Sequence, residues 1–339
     1  MNILKSIYYK SSSALPLALL KKFSPPTCLF PYHHIVSDEE VLHIKYLYGY
    51  KNVSQFTKDL EILLKNFRPI SADDLIKNIH TKNKLPRNTF LLTFDDGFRE
   101  VHDVIAPLLE AKGIPAIFFI NPAFINNKKL FYRSKASLLI HELVKNKNNN
   151  PLLSDVASVL HTSDQSVDEL IVLIKKFKST DEEIMDALAL EFSLSFDDYL
   201  KEQRPFLTAE QLTSLSARGF TIGAHSWDHP YYDQLSLGDQ IEQTLNSCSY
   251  VHEKIHPTYT TFSFPYYDTN LSQQLLNALN KEDIDLLFGI QNQKDELHNN
   301  VVHRFNAERP DVSFNSQLKG LLLYLAIQNK TGRLKVKRN

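Results

Sequence analysis

Short apolar runs alternate with helical patterns along most of this 339-residue chain, and this alternation limits the fold more than any other feature. The runs are rich in β-branched and aromatic residues and end at turn residues, a pattern typical of buried parallel strands. Helix-capping residues such as Ser71 and Thr208 fall between the runs, and Gly113 and Gly219 mark helix ends. A repeated strand–helix order predicts an α/β fold, either a barrel or a doubly wound sheet. The predicted strands are Cys28–Val36, Thr89–Phe94, Ala116–Ile120, Phe220–Ala224, Tyr259–Phe264, Leu286–Ile290 and Val301–Phe305.

The alternation stops between Asn126 and Arg204, where the sequence is polar and helix-like and contains no convincing strand. We interpret residues 126–204 as a helical insertion into a core domain that spans residues 28–310. Residues 1–27 form a predicted N-terminal helical segment, and residues 311–339 a predicted helix and basic tail. The composition of Lys330–Asn339 predicts a frayed, solvated tail.

Composition excludes some functions and suggests a compartment. The formal net charge of −1 gives no indication of a nucleic-acid partner. The two cysteines, Cys28 and Cys248, form no disulfide framework, which is typical of a reducing compartment. The apolar stretch Ala14–Leu20 is too short to span a bilayer. We therefore predict a cytoplasmic protein, with an amphipathic helix resting on a membrane as the alternative; the sequence does not indicate an oligomeric state.

Two adjacent carboxylates, Asp95 and Asp96, follow the apolar run Thr89–Phe94. Successive side chains of a regular strand point to opposite faces, so both carboxylates can face one site only if the chain turns there. Gly97 permits such a turn at the carboxyl end of the strand, where active sites of α/β barrels lie. An Asp-Gly turn with a helix N-cap is the structural alternative.

Two histidines four residues apart, His225 and His229, follow the predicted strand Phe220–Ala224. Gly223 and Pro230 favour a loop over a helix at this place. One ring nitrogen of each histidine is then available to a metal while the other is held by an acceptor. Ordinary polar loop histidines are the alternative.

Together these residues provide oxygen and nitrogen ligands for a divalent metal, with one carboxylate left for proton transfer. That combination predicts metal-assisted hydrolysis. A phosphatase of the haloacid dehalogenase type is a competing hypothesis, but it requires an Asp-x-Asp spacing. The adjacent pair Asp95-Asp96 has the wrong spacing, and the histidines would have no role.

The two motifs resemble those of a known family. Thr93–Gly97 (TFDDG) and His225–His229 (HSWDH), in this order and each after a strand, resemble the first two signature motifs of the polysaccharide deacetylases. These are the carbohydrate esterase family 4, or NodB-homology, proteins. The resemblance covers roughly residues 28–125 and 205–310. It implies a deformed (β/α) barrel of about seven parallel strands and a divalent metal, usually zinc. It also implies hydrolysis of acetyl groups on a carbohydrate.

The resemblance assigns roles to individual residues. Asp95 matches the general base, and Asp96, His225 and His229 match the metal ligands. Phe262–Tyr267 resembles the third motif, in which the backbone N–H of Tyr266 is the oxyanion donor.

Two positions depart from the family pattern. Many members have an arginine where this chain has Ser263; Arg304 is a candidate replacement that would steady the catalytic carboxylate, and a plain salt bridge is the alternative. His303 matches the general acid in position, although in one branch of the family it aligns with a proline and leaves no acid there. In the first strand, alternation directs one of His33 and His34 toward the barrel mouth, and we favour His33; a satisfied core histidine is the alternative.

The predicted function is therefore that of a metal-dependent deacetylase, acting on an N-acetylated sugar of a polysaccharide or glycan precursor. The alternative is a catalytically degenerate barrel that binds glycan without hydrolysing it.

Overall fold

The computed structural model describes residues 15–25, 28–81, 87–296 and 298–338. They divide into two compact units. The first contains the described parts of Met1–Asp38, Tyr50–Pro122 and Ala209–Asn339. The second contains Glu39–Gly49 and Ala123–Thr208.

The strands are short, and those that come from the predicted apolar runs are fully or largely buried. In chain order they are β1 (Cys28–Leu29), β2 (Pro31–His33), β3 (Arg68–Pro69), β4 (Thr89–Phe90), β5 (Leu92–Phe94), β6 (Ala116–Ile120), β7 (Thr221–Ala224), β8 (Thr261–Ser263), β9 (Leu286–Gly289), β10 (Val301–His303) and β11 (Phe305–Asn306).

Eight of these strands form one sheet in the order β10-β9-β8-β7-β6-β5-β2-β11, and every neighbouring pair is parallel. The two edge strands, β10 and β11, are consecutive in the chain and are separated only by Arg304. One extended segment therefore pairs with β9 before Arg304 and with β2 after it, which nearly closes the sheet into a barrel. The predicted (β/α) barrel is confirmed. It has eight strands rather than about seven, because the last predicted strand is divided at Arg304 into β10 and β11.

A smaller sheet, in the order β1-β4-β3, continues two of the barrel strands beyond the barrel. Cys28 pairs with Thr89, and four residues later on each segment Tyr32 pairs with Thr93 within the barrel. Aliphatic and phenylalanine side chains from both sheets and from residues 70–76 form one buried core. It includes Phe30, Leu75, Leu91, Phe119 and Phe288.

Helices follow most strands. They are α1 (Leu17–Phe23), α2 (Leu42–Lys45), α3 (Val53–Asn66), α4 (Ala72–His80), α5 (Ala106–Glu110), α6 (Tyr132–Lys145), α7 (Asn150–Val159), α8 (Val167–Lys175), α9 (Glu182–Glu191), α10 (Phe196–Gln203), α11 (Ala209–Ala217), α12 (Leu237–Ile255), α13 (Gln273–Leu279) and α14 (Phe314–Lys330). A π-helical turn, Val101–Ile105, leads into α5. Ser71 caps α4 as predicted, because its side chain accepts the backbone N–H of Asp74.

The second unit is helical and contains no strand, and each of its residues lies within the described part of the chain. Its two ends are tied together, since Asn127 exchanges hydrogen bonds with the backbone of Phe206 at 3.1 and 2.9 Å. This unit also includes Glu39–Gly49, which the sequence analysis did not group with residues 126–204. The predicted domain boundaries stay a prediction.

Two terminal segments were also predicted. The helix α1 lies within residues 1–27, of which residues 1–14 and 26–27 are outside the described residues. The expectation of a frayed tail after Lys330 is wrong for Val336 and Arg338, whose side chains are buried. Within the described ranges, no helix combines the length and the apolar character needed to cross a membrane.

Candidate active site

The turn after β5 presents two neighbouring carboxylates. The backbone of Asp95 continues the strand, since its N–H donates to the carbonyl of His33 at 3.0 Å. Asp96 and Gly97 then take left-handed conformations, with φ of 72° and 64°. The turn thus begins at Asp96 itself, one residue earlier than predicted. Gly97 is still required, because a Cβ there would lie 3.1 Å from the side chain of Ile120.

The loop after β7 carries the two histidines. Nδ1 of His225 donates to the carbonyl of Ser263 at 2.7 Å, which leaves Nε2 for a metal. Ser226 and His229 are both left-handed, and the Ser226 hydroxyl accepts the N–H of His229 at 3.1 Å. The buried amide of Asn121 donates to the carbonyls of His225 and Ser226. These contacts fix a strained loop, and Asn121 is a residue that the sequence analysis missed.

Asp96, His225 and His229 converge on one point. Their ligand atoms all lie within 4.8 Å of one another, and all three residues are buried. Oδ1 of Asp96 is 3.2 Å from Nε2 of His229 and 3.6 Å from Nε2 of His225, yet it accepts no hydrogen bond. Ligand atoms about 2.1 Å from a tetrahedral ion would be about 3.4 Å apart. The donor set and its spacing therefore fit a divalent metal.

Asp95 lies beside this set and is held by Arg304. The guanidinium donates to both carboxylate oxygens of Asp95, at 2.7 and 2.8 Å. It also donates to the hydroxyls of Thr93 at 3.0 Å and Ser263 at 2.5 Å. Arg304 thus makes the contact expected of the missing arginine, and it also bonds Ser263, the residue that stands at that arginine's position in the sequence.

Aromatic rings complete the environment of Arg304. Its guanidinium carbon lies 4.9 Å from the ring centre of Tyr32, 5.4 Å from that of Phe119 and 5.8 Å from that of Phe288. Burial raises the pKa of the Asp95 carboxyl, but the charge of Arg304, with help from His225, lowers it below its ordinary value. Asp95 is therefore a carboxylate at neutral pH.

Two of the three convergent residues, His225 and Asp96, are in the protonation states that bind a metal. Burial lowers the pKa of His225 to about 4, so its ring is neutral near pH 7. Burial raises the pKa of Asp96, but the charge of His229 outweighs it and the pKa is well below its ordinary value. A neutral imidazole and an ionised carboxylate are metal ligands without further deprotonation.

Tyr266 follows β8, as the third motif predicts, and is packed against the histidine loop. It has a left-handed backbone, with φ of 56°. Its ring stacks on Tyr231 at 3.7 Å and meets the ring of His229 edge-on at 4.4 Å between centres. The structure therefore brings the Tyr266 ring against the candidate metal ligand His229. The role of the Tyr266 backbone N–H as oxyanion donor stays a prediction.

The preference for His33 over His34 is wrong. His33 is buried against the rings of Phe56 and Phe94, on the side of the helix layer. His34 is partly exposed, and its Nδ1 contacts the Glu308 carboxylate at 2.6 Å. Burial lowers the pKa of His34, but the charge of Glu308, supported by Asp96 and Asp95, raises it to about 9.

The barrel mouth therefore holds a histidine–glutamate pair that sequence reasoning did not find. Glu308 lies just after β11, at the carboxyl end of a barrel strand, and that position is the signal that could have indicated it.

We expect this pair to leave a pH signature in the metal-free protein. The folded pKa of His34, about 9, lies above its ordinary 6.5. The stabilisation of the folded state by the His34–Glu308 pair is therefore complete below pH 6.5 and is lost as the pH rises through 9. The melting temperature of His34→Gln should fall less over this range than that of the wild type. The exposed His80 provides the control substitution, His80→Gln. Parallel curves for wild type and His34→Gln would contradict the assignment.

His303 lies outside this group of residues. Its side chain is fully buried, with Nδ1 3.4 Å from the Asp268 carboxylate and Nε2 3.4 Å from the Glu296 carboxylate. Because Arg304 points into the barrel, strand alternation directs His303 to the opposite side. The structure brings Asp95, Asp96, His225, His229, Tyr266 and Arg304 together and does not bring His303 to them. This placement does not favour the predicted role of His303 as general acid.

A parallel barrel with a buried carboxylate–histidine set at the carboxyl ends of its strands defines a barrel hydrolase with a candidate metal centre. The family model for polysaccharide deacetylase matches residues 82–287, more than half of the chain. The chain belongs to this family, as the two motifs indicated. It is therefore a hydrolase that acts on carbon–nitrogen bonds other than peptide bonds, with a carbohydrate substrate.

Solved structures share the fold at low sequence identity. The deacetylase PplD of Streptococcus pyogenes, in complex with acetate, is 11% identical, with a TM-score of 0.56 over 88% of this chain and 99% of its own. IcaB from Ammonifex degensii is 15% identical, with the same TM-score over 88% of this chain and 98% of its own. A de-N-acetylase from Aggregatibacter actinomycetemcomitans is 14% identical, with a TM-score of 0.52 over 86% of this chain and 98% of its own. No protein with a curated description matches the sequence.

Proposed function

We propose that this protein is a zinc-dependent N-deacetylase that acts on an N-acetylated sugar of a polysaccharide or of a glycan precursor. One observation carries the proposal: a buried Asp96–His225–His229 set lies beside a second carboxylate, Asp95, that is held by arginine. A metal site with an adjacent unligated carboxylate has the components required for hydrolysis of an amide by water. One of the similar structures is a de-N-acetylase, which supports an acetyl group on nitrogen rather than on oxygen as the substrate.

Asp96, His225 and His229 would hold the ion. Two nitrogens and one oxygen are a ligand set that suits zinc and leaves a position open for water and substrate. When bound, the metal acidifies water and polarises the acetyl carbonyl. The hydrogen bond from His225 to Ser263 orients one of the imidazoles toward the ion in advance.

Asp95 accepts the proton of the attacking water in this proposal. Its two hydrogen bonds from Arg304 keep it ionised and fix its orientation. A carboxylate with a lowered pKa is a weaker base, so positioning rather than basicity accounts for its contribution.

The developing oxyanion needs a hydrogen-bond donor, and the leaving amine needs a proton donor. The backbone N–H of Tyr266, whose ring contacts His229, is the candidate donor for the oxyanion. His34 takes the place first predicted for His303 as proton donor, because it is partly exposed and paired with Glu308. It is also close enough to Asp95 and Asp96 for their charges to raise its pKa.

Location and membrane contact stay proposals. A cytoplasmic enzyme would act on a lipid-linked or nucleotide-linked precursor, or on a soluble glycan. Exposed Leu19 and Phe23, which are 41% and 65% accessible on α1, support peripheral contact with a membrane.

The decisive experiment is acetate release from a panel of N- and O-acetylated saccharides, measured with and without a chelator. We expect release from at least one N-acetylated saccharide, loss with chelator and recovery with zinc. Metal analysis should find about one ion per chain. Glycan binding with no acetate release from any member of the panel would favour the degenerate-barrel alternative. Release that survives complete metal removal would contradict the metal-dependent mechanism.

A further inference from the structure

A second buried ionic cluster lies beside β9 and β10. It consists of Asp268, Glu296, His303 and Arg338, and each of these side chains is completely inaccessible to solvent. The cluster contains the histidine first predicted as an acid and an arginine from the segment predicted to be frayed. The proposed mechanism uses none of these four residues.

Arg338 makes the strongest contacts in the cluster. Its Nε donates to Glu296 at 2.7 Å, while Nη1 and Nη2 donate to the backbone carbonyl and the carboxylate of Asp268, at 2.5 and 2.8 Å. Backbone hydrogen bonds guide the segment there: Asp295 donates to Leu334 at 3.1 Å and accepts from Val336 at 2.8 Å. The segment Leu334–Arg338 is thus paired with the chain that precedes β10.

Asp268 connects this cluster to the active site. Besides Arg338, its carboxylate accepts the backbone N–H of Ile290 at 2.8 Å and the side-chain amide of Gln291 at 3.2 Å. Asp268 is only two residues after Tyr266, whose ring contacts the metal-ligand candidate His229. Asp268 and Tyr266 are thus separated by a single residue, Tyr267, within the same turn.

We propose that Arg338 is a positioning residue. It holds Asp268, and through Asp268 the turn Pro265–Asp268, so that the backbone N–H of Tyr266 faces the reacting carbonyl. This inference rests on the proposed function, in which that N–H stabilises the oxyanion. The rigid fork of a guanidinium suits the task, because it binds the carbonyl and the carboxylate of one residue simultaneously. An ammonium group supplies the same charge without this geometry.

Charge balance makes the contact necessary. Without Arg338, the two buried carboxylates of Asp268 and Glu296 would lose the guanidinium that lies between them. Buried like charges without compensation repel each other and draw in water.

The test compares Arg338→Gln and Arg338→Lys with the control Lys337→Gln, which changes an exposed neighbour. The measurements are kcat, KM, metal content and affinity for a tetrahedral phosphonate analogue of the acetyl centre. Hydrogen exchange of a peptide that includes Pro265–Asp268 gives a readout that does not depend on activity.

We expect Arg338→Gln to lower kcat and analogue affinity by at least about tenfold, part of the loss that removing an oxyanion donor causes. KM and metal content should stay within about twofold of wild type, as expected for loss of a transition-state interaction. Exchange at Pro265–Asp268 should become faster. Arg338→Lys should recover melting temperature more fully than analogue affinity, because it restores charge and not the fork.

Gly289→Ala tests the same cluster from the side of β9. A Cβ there would lie 2.5 Å from Nδ1 of His303 and 2.6 Å from the carboxylate of Asp268, so we expect the same pattern of losses. This variant and Arg338→Lys keep the inference testable if Arg338→Gln does not fold.

Two results would overturn the inference: kcat and analogue affinity within twofold of wild type in Arg338→Gln, or unchanged exchange at Pro265–Asp268. A wild-type protein that releases no acetate would instead refute the proposed function, and the exchange measurement would still test the contact.

Discussion

Asp95→Asn is expected to reduce kcat for acetate release by roughly 100- to 10,000-fold, the usual contribution of a general base. Metal content should persist, because Asp95 is outside the ligand set Asp96–His225–His229. The measurements are steady-state kinetics and metal analysis of the same preparation. Full turnover in Asp95→Asn would show that another group accepts the proton.

A control is needed because Asp95 also balances a buried charge. Arg304 is completely buried on Asp95, so the variant leaves a guanidinium without its counter-ion. Breaking such a pair costs about 3–5 kcal/mol of folding free energy. The double variant Asp95→Asn/Arg304→Met removes both charges and should regain much of that stability. We expect it to regain no activity; recovered turnover would mean that charge imbalance, not loss of a base, had inactivated Asp95→Asn.

His229→Ala and Asp96→Ala are expected to lose the metal and, with it, acetate release. Removal of a direct ligand should weaken metal affinity by more than the roughly 10- to 100-fold that a supporting residue contributes. Zinc at 100 times its Kd should stabilise the wild type by about 2.7 kcal/mol, and this shift should be absent from both variants. Melting curves with and without zinc provide the measurement.

The matched control for His229→Ala is His80→Ala, the same change at a half-exposed histidine that pairs with Asp285. It should keep both the zinc-dependent shift and the activity. Asn121→Ala should give an intermediate zinc-dependent shift, since Asn121 holds the His225–Ser226 backbone without being a ligand. A zinc response in His229→Ala equal to that of wild type would remove this histidine from the ligand set.

Much of the fold could be predicted from local patterns. The run Ala116–Ile120 became β6 without change, and Ser71 caps α4 as its sequence context predicts. Each predicted strand is present because a continuous apolar run has only a buried sheet to occupy. The division of the last strand at Arg304 was not predictable. It depends on one segment pairing with β9 before Arg304 and with β2 after it.

The site could be predicted only in part, for a similar reason. The residue types in the motifs at Asp95 and His225 indicate metal binding and proton transfer, and the structure brings these groups together. The choice between His33 and His34 required knowledge of which side of β2 faces the barrel mouth. His303 and Arg304 are adjacent on a strand, so a single reversal of side-chain direction decides which of them reaches Asp95.

The amino-acid order alone determined the strand–helix alternation, the family and the residue types that can bind a metal. These are encoded within a few neighbouring positions, by apolar periodicity and by the backbone freedom of residues such as Gly97. The tertiary structure decided the partners: Arg304 for Asp95, Glu308 for His34 and Arg338 for Asp268. Each pair joins positions far apart in the chain, and electrostatic attraction in a buried site depends on distances that only the closed barrel sets.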